Sequence, residues 1–374
     1  MTALVTGATG CVGAGIVLEL LRQTSQDIVC IVRSRDDEEA HERLQRVLLE
    51  TIEAYDCREL AGAVQSRCRG IRGDVTEPRC GLSDAVDLEA TELWHLAASL
   101  RYLDKHEAAI NSVNVDGTRN VITLAQSLGI GVLNYASTVA TAGTRTGILY
   151  EEPVEKHTEM NNAYERSKVI GEQLVLASGI DAVRILRLPI VVGHSETYQL
   201  TASTFSGFYT LATEMIRFKE KVEERLGSYL EHYGVQVVAD PDVRNAVLPV
   251  DRVANAAVTL SVARAESGIY TLANMLSANI GSAMAGIADV LGIAEPRYVD
   301  DVALLTSVDQ EFTNEMRFHA PYMLQDKLYD CANLLRYVDR SVVSVEMSRD
   351  RFAAYARHFF PAGTESPSQL AATE

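Results

Sequence analysis

The start of the chain constrains the fold most. A short β-rich run, Thr2–Thr6, leads directly into Gly7-Ala8-Thr9-Gly10-Cys11-Val12-Gly13, so a G-x-x-G-x-x-G spacing separates a strand from an amphipathic stretch. Gly7 permits a tight turn, Gly10 lets backbone N–H groups approach a pyrophosphate, and Gly13 allows close helix–strand packing. The helix N-terminus that follows presents partial positive charge to the anion. A glycine triplet alone is also ordinary turn chemistry. Its strand–turn–helix setting is what supports a dinucleotide-binding reading.

Beyond the loop, short apolar runs alternate with helical periodicity, as in a parallel sheet covered on both faces. The pattern predicts strands at Thr2–Thr6, Asp27–Val32, Arg67–Arg72, Glu92–Leu96, Gly131–Ala136 and Asp181–Arg187. It predicts helices at Val12–Gln23, Asp37–Tyr55, Ala108–Leu128 and Asn162–Ala177. After Pro189 the alternation becomes irregular, with helices predicted at Thr213–Arg225, Asp251–Ala263 and Ile280–Val290 and a strand at Gly268–Leu272. The expected fold is an α/β, Rossmann-like doubly wound parallel sheet with a smaller, interleaved C-terminal substrate-binding subdomain. The expected division is 1–190 for the cofactor domain, 191–360 for the substrate subdomain and 361–374 for a Pro/Ser/Thr/Ala-rich disordered tail. A chain of 374 residues with 47% apolar content suits one large domain plus an appendage.

A formal charge of −17 argues against a general nucleic-acid or membrane-surface partner, since phosphate backbones need a basic face. No apolar run reaches the ~18 residues needed to span a bilayer. Met1 leads straight into the first strand with no basic stretch or cleavage site, so the expected location is cytoplasmic. The six cysteines form no C-x-x-C pair and no zinc spacing, and read as free thiols in a reducing compartment with no metal implied. The histidines form no H-x-x-x-H or H-E-x-x-H pair, and Ser137 lacks a G-x-S-x-G elbow.

The end of the second strand bears on which dinucleotide is bound. An NAD site places Asp or Glu there for the ribose 2′-hydroxyl. This chain has Arg33-Ser34-Arg35, with Asp36 and Asp37 slightly late for that role. Arg33 suits a 2′-phosphate through a charge-assisted contact, and Arg43 joins it in the expected cofactor set. The other reading is that Arg33 and Arg35 only solvate a loop. NADP(H) is the expected cofactor.

Tyr164-Glu165-Arg166-Ser167-Lys168 sets a phenol and an ammonium one helical turn apart on the same face. Such a pair is common by chance, but here it follows a strand ending in Ser137-Thr138, where a hydroxyl at a carboxyl end faces the cofactor crevice. These motifs, with Gly73-Asp74-Val75, His95-Leu96-Ala97-Ala98, Asn114-Val115-Asp116-Gly117-Thr118, Arg187-Leu188-Pro189 and Pro249-Val250-Asp251, fall in one order. In that order the chain resembles an extended short-chain dehydrogenase/reductase from Met1 to about Ala263. Within that family it looks most like thioester reductases and fatty acyl reductases, on the stretches Cys30–Arg33, Ser137–Ala140, Asn162–Glu172 and Val192–Thr197. The pattern's Gly after Ser-Glu-Thr is Tyr198 here.

The resemblance implies catalysis by Thr138, Tyr164 and Lys168. It implies cofactor contacts from the loop (Gly7, Thr9, Gly10, Cys11, Val12, Gly13), from Asp74 and Val75 at adenine, and from the Leu96-Ala97-Ala98 turn. Pro189, Ile190 and Val192 would lie beside the nicotinamide amide, and Lys168 would also bond the ribose. The implied function is NADPH-dependent reduction of an acyl thioester, bound to CoA or an acyl carrier protein, to an aldehyde or on to an alcohol. Two other readings stand beside it. One is a ketone/alcohol dehydrogenase or sugar-nucleotide enzyme on the same scaffold, the other an NADP-sensing regulator without catalysis. Ser195–Ser206 and the helix after it are expected to line or cover the substrate crevice. Cys11 reads as a small apolar filler and His95 as structural.

Overall fold

The computed structural model describes residues 2–83, 88–201 and 207–360. The predicted tail at 361–374, and residues 202–206 of the polar stretch, lie outside them. Seven strands form one sheet: β1 (Thr2–Thr6), β2 (Asp27–Val32), β3 (Cys68–Arg72), β4 (Ala90–His95), β5 (Val132–Thr138), β6 (Ala182–Leu188) and β7 (Gly268–Thr271). Their order is β7-β6-β5-β4-β1-β2-β3, and every neighbouring pair is parallel. Ala3, Leu4, Val5, Ile28 and Cys30 are completely buried, as strands covered on both faces require. The order reverses between β1 and β4, which opens a crevice outside their carboxyl ends.

The main helices are α1 (Cys11–Gln23), α2 (Asp37–Ala54), α3 (Gly117–Ser127), α4 (Ala163–Leu176), α5 (Gly207–Leu226), α6 (Val250–Val262), α7 (Ile280–Leu291) and α8 (Arg349–Phe359). Asp36 caps α2 by accepting the Glu39 N–H, and Asn162 caps α4 by accepting the Glu165 N–H. Two boundaries differ from the sequence pattern for visible reasons. β5 runs on to Thr138 because Ser137 and Thr138 pair with Arg187 and Leu188. The predicted helix Ala108–Leu128 is interrupted by a wide π turn at Ser112–Asp116. There the Asn114 side chain turns inward, donating to Ser99 O and Ser167 Oγ and accepting the Ser99 N–H.

Residues beyond 190 contribute both to the sheet and to a second layer. β7 extends the sheet beside β6, and α6 packs on α1. Ile190–Val192 pairs with Val247–Pro249, Gln236–Val238 with Arg297–Val299, and Gly147–Leu149 with Lys327–Tyr329, all in parallel. α5 begins six residues earlier than its charge pattern predicts, because Phe208, Tyr209, Leu211 and Ala212 continue its buried face.

One buried ion pair ties α4 to the sheet. Glu172 of α4 accepts from Arg187 of β6 at 2.8 and 3.0 Å, and Ser137 Oγ of β5 donates to the same carboxylate at 2.6 Å. Arg187 also donates to the carbonyls of Tyr150 and Glu152, so the guanidinium is well satisfied. Removing one partner would leave an unpaired charge in the core. Glu172→Ala is therefore expected to lower unfolding free energy by about 3–5 kcal/mol, and Glu172→Leu with Arg187→Met to recover much of that loss. Urea denaturation followed by circular dichroism measures both variants.

Candidate active site

A cavity of about 880 Å³ lies at the carboxyl ends of the strands and is lined by both layers. The glycine loop forms one wall. Gly7 has φ +76°, and a Cβ there would fall 2.5 Å from Ala97 N, so the turn after β1 presses directly on the turn after β4. A Cβ on Gly13 would fall 2.0 Å from Gly7 O. Protein packing therefore dictates both residues. At Gly10 a Cβ would meet only Gly7 O, at an ordinary 3.4 Å, so protein packing does not dictate that residue. α1 starts there with no side-chain cap and no acidic residue in its first turn, leaving its first N–H groups to an anion. Thr9, Cys11 and Val12 line the same wall. Burial pushes the Cys11 thiol up to about 11, which keeps it protonated and unsuited to nucleophilic attack.

Arg33, the first residue after β2, is exposed at the cavity edge, and Arg43 reaches back to donate to its carbonyl at 2.9 Å. Among the described residues no carboxylate pairs with either guanidinium. Arg35 is engaged by Glu39 at 2.9 Å. The nearby acids are occupied: Asp36 caps α2, and Asp37 accepts the Arg72 N–H at 2.6 Å. Asp74 and Val75 line the same end, with Asp74 shaped by hydrogen bonds from Thr76.

A buried chain of hydrogen bonds holds the Leu96-Ala97-Ala98 turn. Thr6 Oγ1 accepts the N–H groups of Leu96 and Ala97, so its proton goes to His95 Nδ1 at 2.9 Å. Thr118 Oγ1 donates to Asn114 O and so accepts from His95 Nε2 at 3.1 Å. This fixes the Nε2–H tautomer. Burial, with Lys168 nearby, drives the His95 pKa down to about 3, so the neutral ring bridges β1, β4 and α3 structurally.

Thr138 ends β5, while Tyr164 and Lys168 lie one turn apart on α4; all three line the cavity. Burial raises the Tyr164 pKa and the adjacent Thr138 hydroxyl opposes that rise. Lys168 is buried, donates to Ala136 O at 2.8 Å and lies 5.1 Å from the Tyr135 ring centre. Burial brings its pKa down to about 8, with Glu172 opposing. Pro189 and Ile190 reach the cavity, whereas Val192 is completely buried in the core and does not line it.

The far wall comes from segments with no recognised motif. Tyr322 donates to Glu165 at 2.6 Å and accepts from Asn162 at 3.0 Å, flanking Tyr164 on both sides in sequence. Lys327 Nζ donates to Gly143 O at 2.7 Å, and His319 Nε2 lies 2.9 Å from Glu214 of α5. Leu200 and the first turn of α5 also line the cavity, but Thr213–Arg225 does not. Ser195 is tied instead to Asp251 at 2.8 and 2.6 Å. Tyr198 adopts φ +59°, which explains why glycine suits that position. Its ring packs against Tyr355, His358 and Arg351 of α8, contacts that offset a strain of roughly 1–2 kcal/mol.

The family profile described as "Male sterility protein" matches residues 5–257. A linear gramicidin synthase polypeptide of Brevibacillus parabrevis is 31% identical over 207 residues, covering 52% of this chain and 4% of that protein. "Glycine betaine reductase ATRR" of Emericella nidulans is 28% identical, covering 97% of this chain and 29% of that protein. The chain thus spans less than a third of either relative. Among solved structures, the terminal R domain from the myxalamid PKS-NRPS biosynthetic pathway superposes with a TM-score of 0.73 at 25% identity, covering 96% of this chain and 90% of that one.

The roles expected of Tyr164 and Lys168 are separable. Tyr164→Phe deletes one hydroxyl and is expected to lower kcat by ~10²–10⁴ while leaving cofactor affinity intact. Lys168→Ala is expected to lower both. Cofactor titration by fluorescence alongside steady-state kinetics checks the split, and near-normal kcat in Tyr164→Phe would refute the assignment.

Proposed function

We propose, from the premise that this chain belongs to the male sterility protein family of extended short-chain dehydrogenase/reductases, that it is an NADPH-dependent reductase of carrier- or CoA-bound acyl thioesters, yielding the aldehyde and, with a second turnover, the alcohol. The chain is an oxidoreductase of that family with a nicotinamide dinucleotide site. The observation that carries the finer reading is the convergence of Thr138, Tyr164 and Lys168 on one cavity with the glycine loop and a long second-layer wall. Relatives named as a peptide synthase and a reductase support a thioester as the electrophile.

The residues present fit the cofactor: the uncapped start of α1 for the pyrophosphate, Arg33 and Arg43 for a 2′-phosphate, Lys168 for the ribose. When bound, the reduced nicotinamide supplies the hydride. Thr138 and Tyr164 hydrogen-bond the substrate carbonyl oxygen, which orients the carbonyl and stabilises the charge that develops there. Tyr164 then gives that oxygen its proton. Lys168 places positive charge beside the phenol, lowering the cost of phenolate formation. The turn held by Thr6 and His95 keeps the cofactor side rigid, and the second layer shields the reacting carbon from water. The cavity is lined by the glycine loop and Tyr164 on one side and by segments beyond residue 190 on the other, so a cofactor and an acyl group would share one space.

The test is NADPH consumption, with product identification, across acyl-CoA, carrier-bound acyl, ketone and UDP-sugar substrates. Thioester consumption with aldehyde or alcohol as product is expected, and turnover of only the ketone or the sugar nucleotide would overturn the reading. NADPH is expected to bind roughly 10–100-fold more tightly than NADH, the range for a hydrogen bond to a charged group of about 1.5–3 kcal/mol. Arg33→Ala is expected to narrow that gap, and equal affinities in the unaltered protein would refute the cofactor choice.

A further inference from the structure

Reducing a thioester to an aldehyde needs protons at two atoms. Tyr164 serves the carbonyl oxygen, but the departing sulfur also takes a proton. Most titratable groups on the cavity wall already have a partner or another task. Lys168 donates to Ala136 O, Lys327 to Gly143 O and Tyr322 to Glu165. Cys11 stays a thiol within the glycine loop. His319 is different. It is the only imidazole among the described lining residues, it is 6% exposed, and its Nε2 has no hydrogen-bond partner beyond its 2.9 Å ion-pair contact with Glu214 Oε2. Phe318 packs edge-on against the ring. The Tyr322 and Met323 N–H groups both bond to His319 O, so His319 sits one turn before the residue that flanks Tyr164. His319 on the cavity wall therefore forms, with the partly buried Glu214 outside the lining, a carboxylate–imidazole dyad that the hydride step does not use.

The geometry points to His319 as the acid that protonates the leaving thiolate, with Glu214 as its positioning residue. The inference rests on the thioester-reductase reading above. After hydride from the reduced nicotinamide cofactor and the Tyr164 proton have reached the carbonyl, the substrate is a hemithioacetal. In its collapse the hydroxyl proton returns to the Tyr164 phenolate and the C=O bond re-forms. The C–S bond breaks with its electron pair on sulfur, and sulfur takes a proton from the His319 imidazolium. No atom changes oxidation state in this step, and the net proton consumed by the reaction enters through His319. The Glu214 carboxylate oxygen 2.9 Å from Nε2 orients the ring, and an imidazole is the side-chain type that gives and takes protons near neutrality.

A dyad that only latched α5 to the segment around His319 would behave differently. The test compares the full chain and His319→Gln on three probes with one acyl group: octanoyl-N-acetylcysteamine thioester, octanoyl thiophenyl ester and octanal. An alkyl thiolate needs an acid to leave, an aryl thiolate does not, and the aldehyde has no leaving group. His319→Gln is expected to lower kcat on the alkyl thioester by ~100-fold or more, with KM and NADPH affinity unchanged and the other two probes unaffected. Glu214→Gln is expected to show the same ordering with a smaller loss. An equal fall on all three probes, or undiminished kcat on the alkyl thioester, overturns the proposal. If His319→Gln does not fold, as judged by NADPH binding, the same series on Glu214→Gln decides it. Failure of the unaltered chain to reduce either thioester, while it reduces a ketone or a sugar nucleotide, instead defeats the reading on which the proposal rests.

Discussion

The arrangement of the site depends on the Glu172–Arg187 pair. Its two charges lie on different elements, α4 and β6, and Ser137 on β5 shares the carboxylate. Ser137 is the residue immediately before Thr138, and Glu172 lies one helical turn after Lys168. A single clamp therefore sets the helix that carries Tyr164 and Lys168 against the strand that ends in Thr138. Buried ion pairs are weak sources of net stability, because desolvation offsets most of the attraction. Their directional bonds do fix register. Here the guanidinium fork meets the carboxylate twice and two backbone carbonyls besides, so α4 has one seat on the sheet.

A second polar chain does the same work on the cofactor side. It runs from the Leu96 and Ala97 amides through Thr6, His95 and Thr118 to Asn114, whose amide then reaches Ser167 on α4. The π turn at Ser112–Asp116 makes the last link possible, since it turns Asn114 inward from a helix that would otherwise present it elsewhere. The turn against Gly7 and the helix bearing Tyr164 thus share one network. Neutral His95 is well suited to that position. A charged ring there would face Lys168, and burial keeps the proton off.

What the sequence made legible was whatever repeats at short range. Strands β1 and β2 are continuous apolar runs and match their predicted bounds, and the caps Asp36 and Asn162 mark where α2 and α4 begin. The glycine loop, Thr138, Tyr164 and Lys168 sit within local motifs, and all of them meet at one cavity. The far wall was illegible because nothing local encodes it. Lys327 arrives through parallel pairing of Lys327–Tyr329 with Gly147–Leu149, nearly two hundred residues away, and neither strand is long enough to show a period. Glu214 comes from a helix whose charge pattern reads as a solvated face, and His319 from the turn between Met316–Phe318 and Ala320–Leu324, where no sequence pattern stands out. Val192 shows the converse: Pro189 and Ile190 line the cavity, but pairing with Pro249 sends the Val192 side chain into the core.

Net charge gives a poor account of this crevice. At −17 the protein as a whole repels an anionic dinucleotide, yet charges separated by more than about 8 Å are largely screened at physiological salt. What an anion meets at contact is the local set: Arg33 and Arg43, with no ion pair to either among the described residues, at one end, the uncapped start of α1 in the middle, and Lys168 at the other. The acids closest to that path are occupied by capping and by backbone N–H groups. Asp36 and Asp37 in particular have their oxygens turned to α2 and to β3. The surface charge then affects encounter rate and solubility, while affinity is decided by a few groups whose neighbours have been given other work.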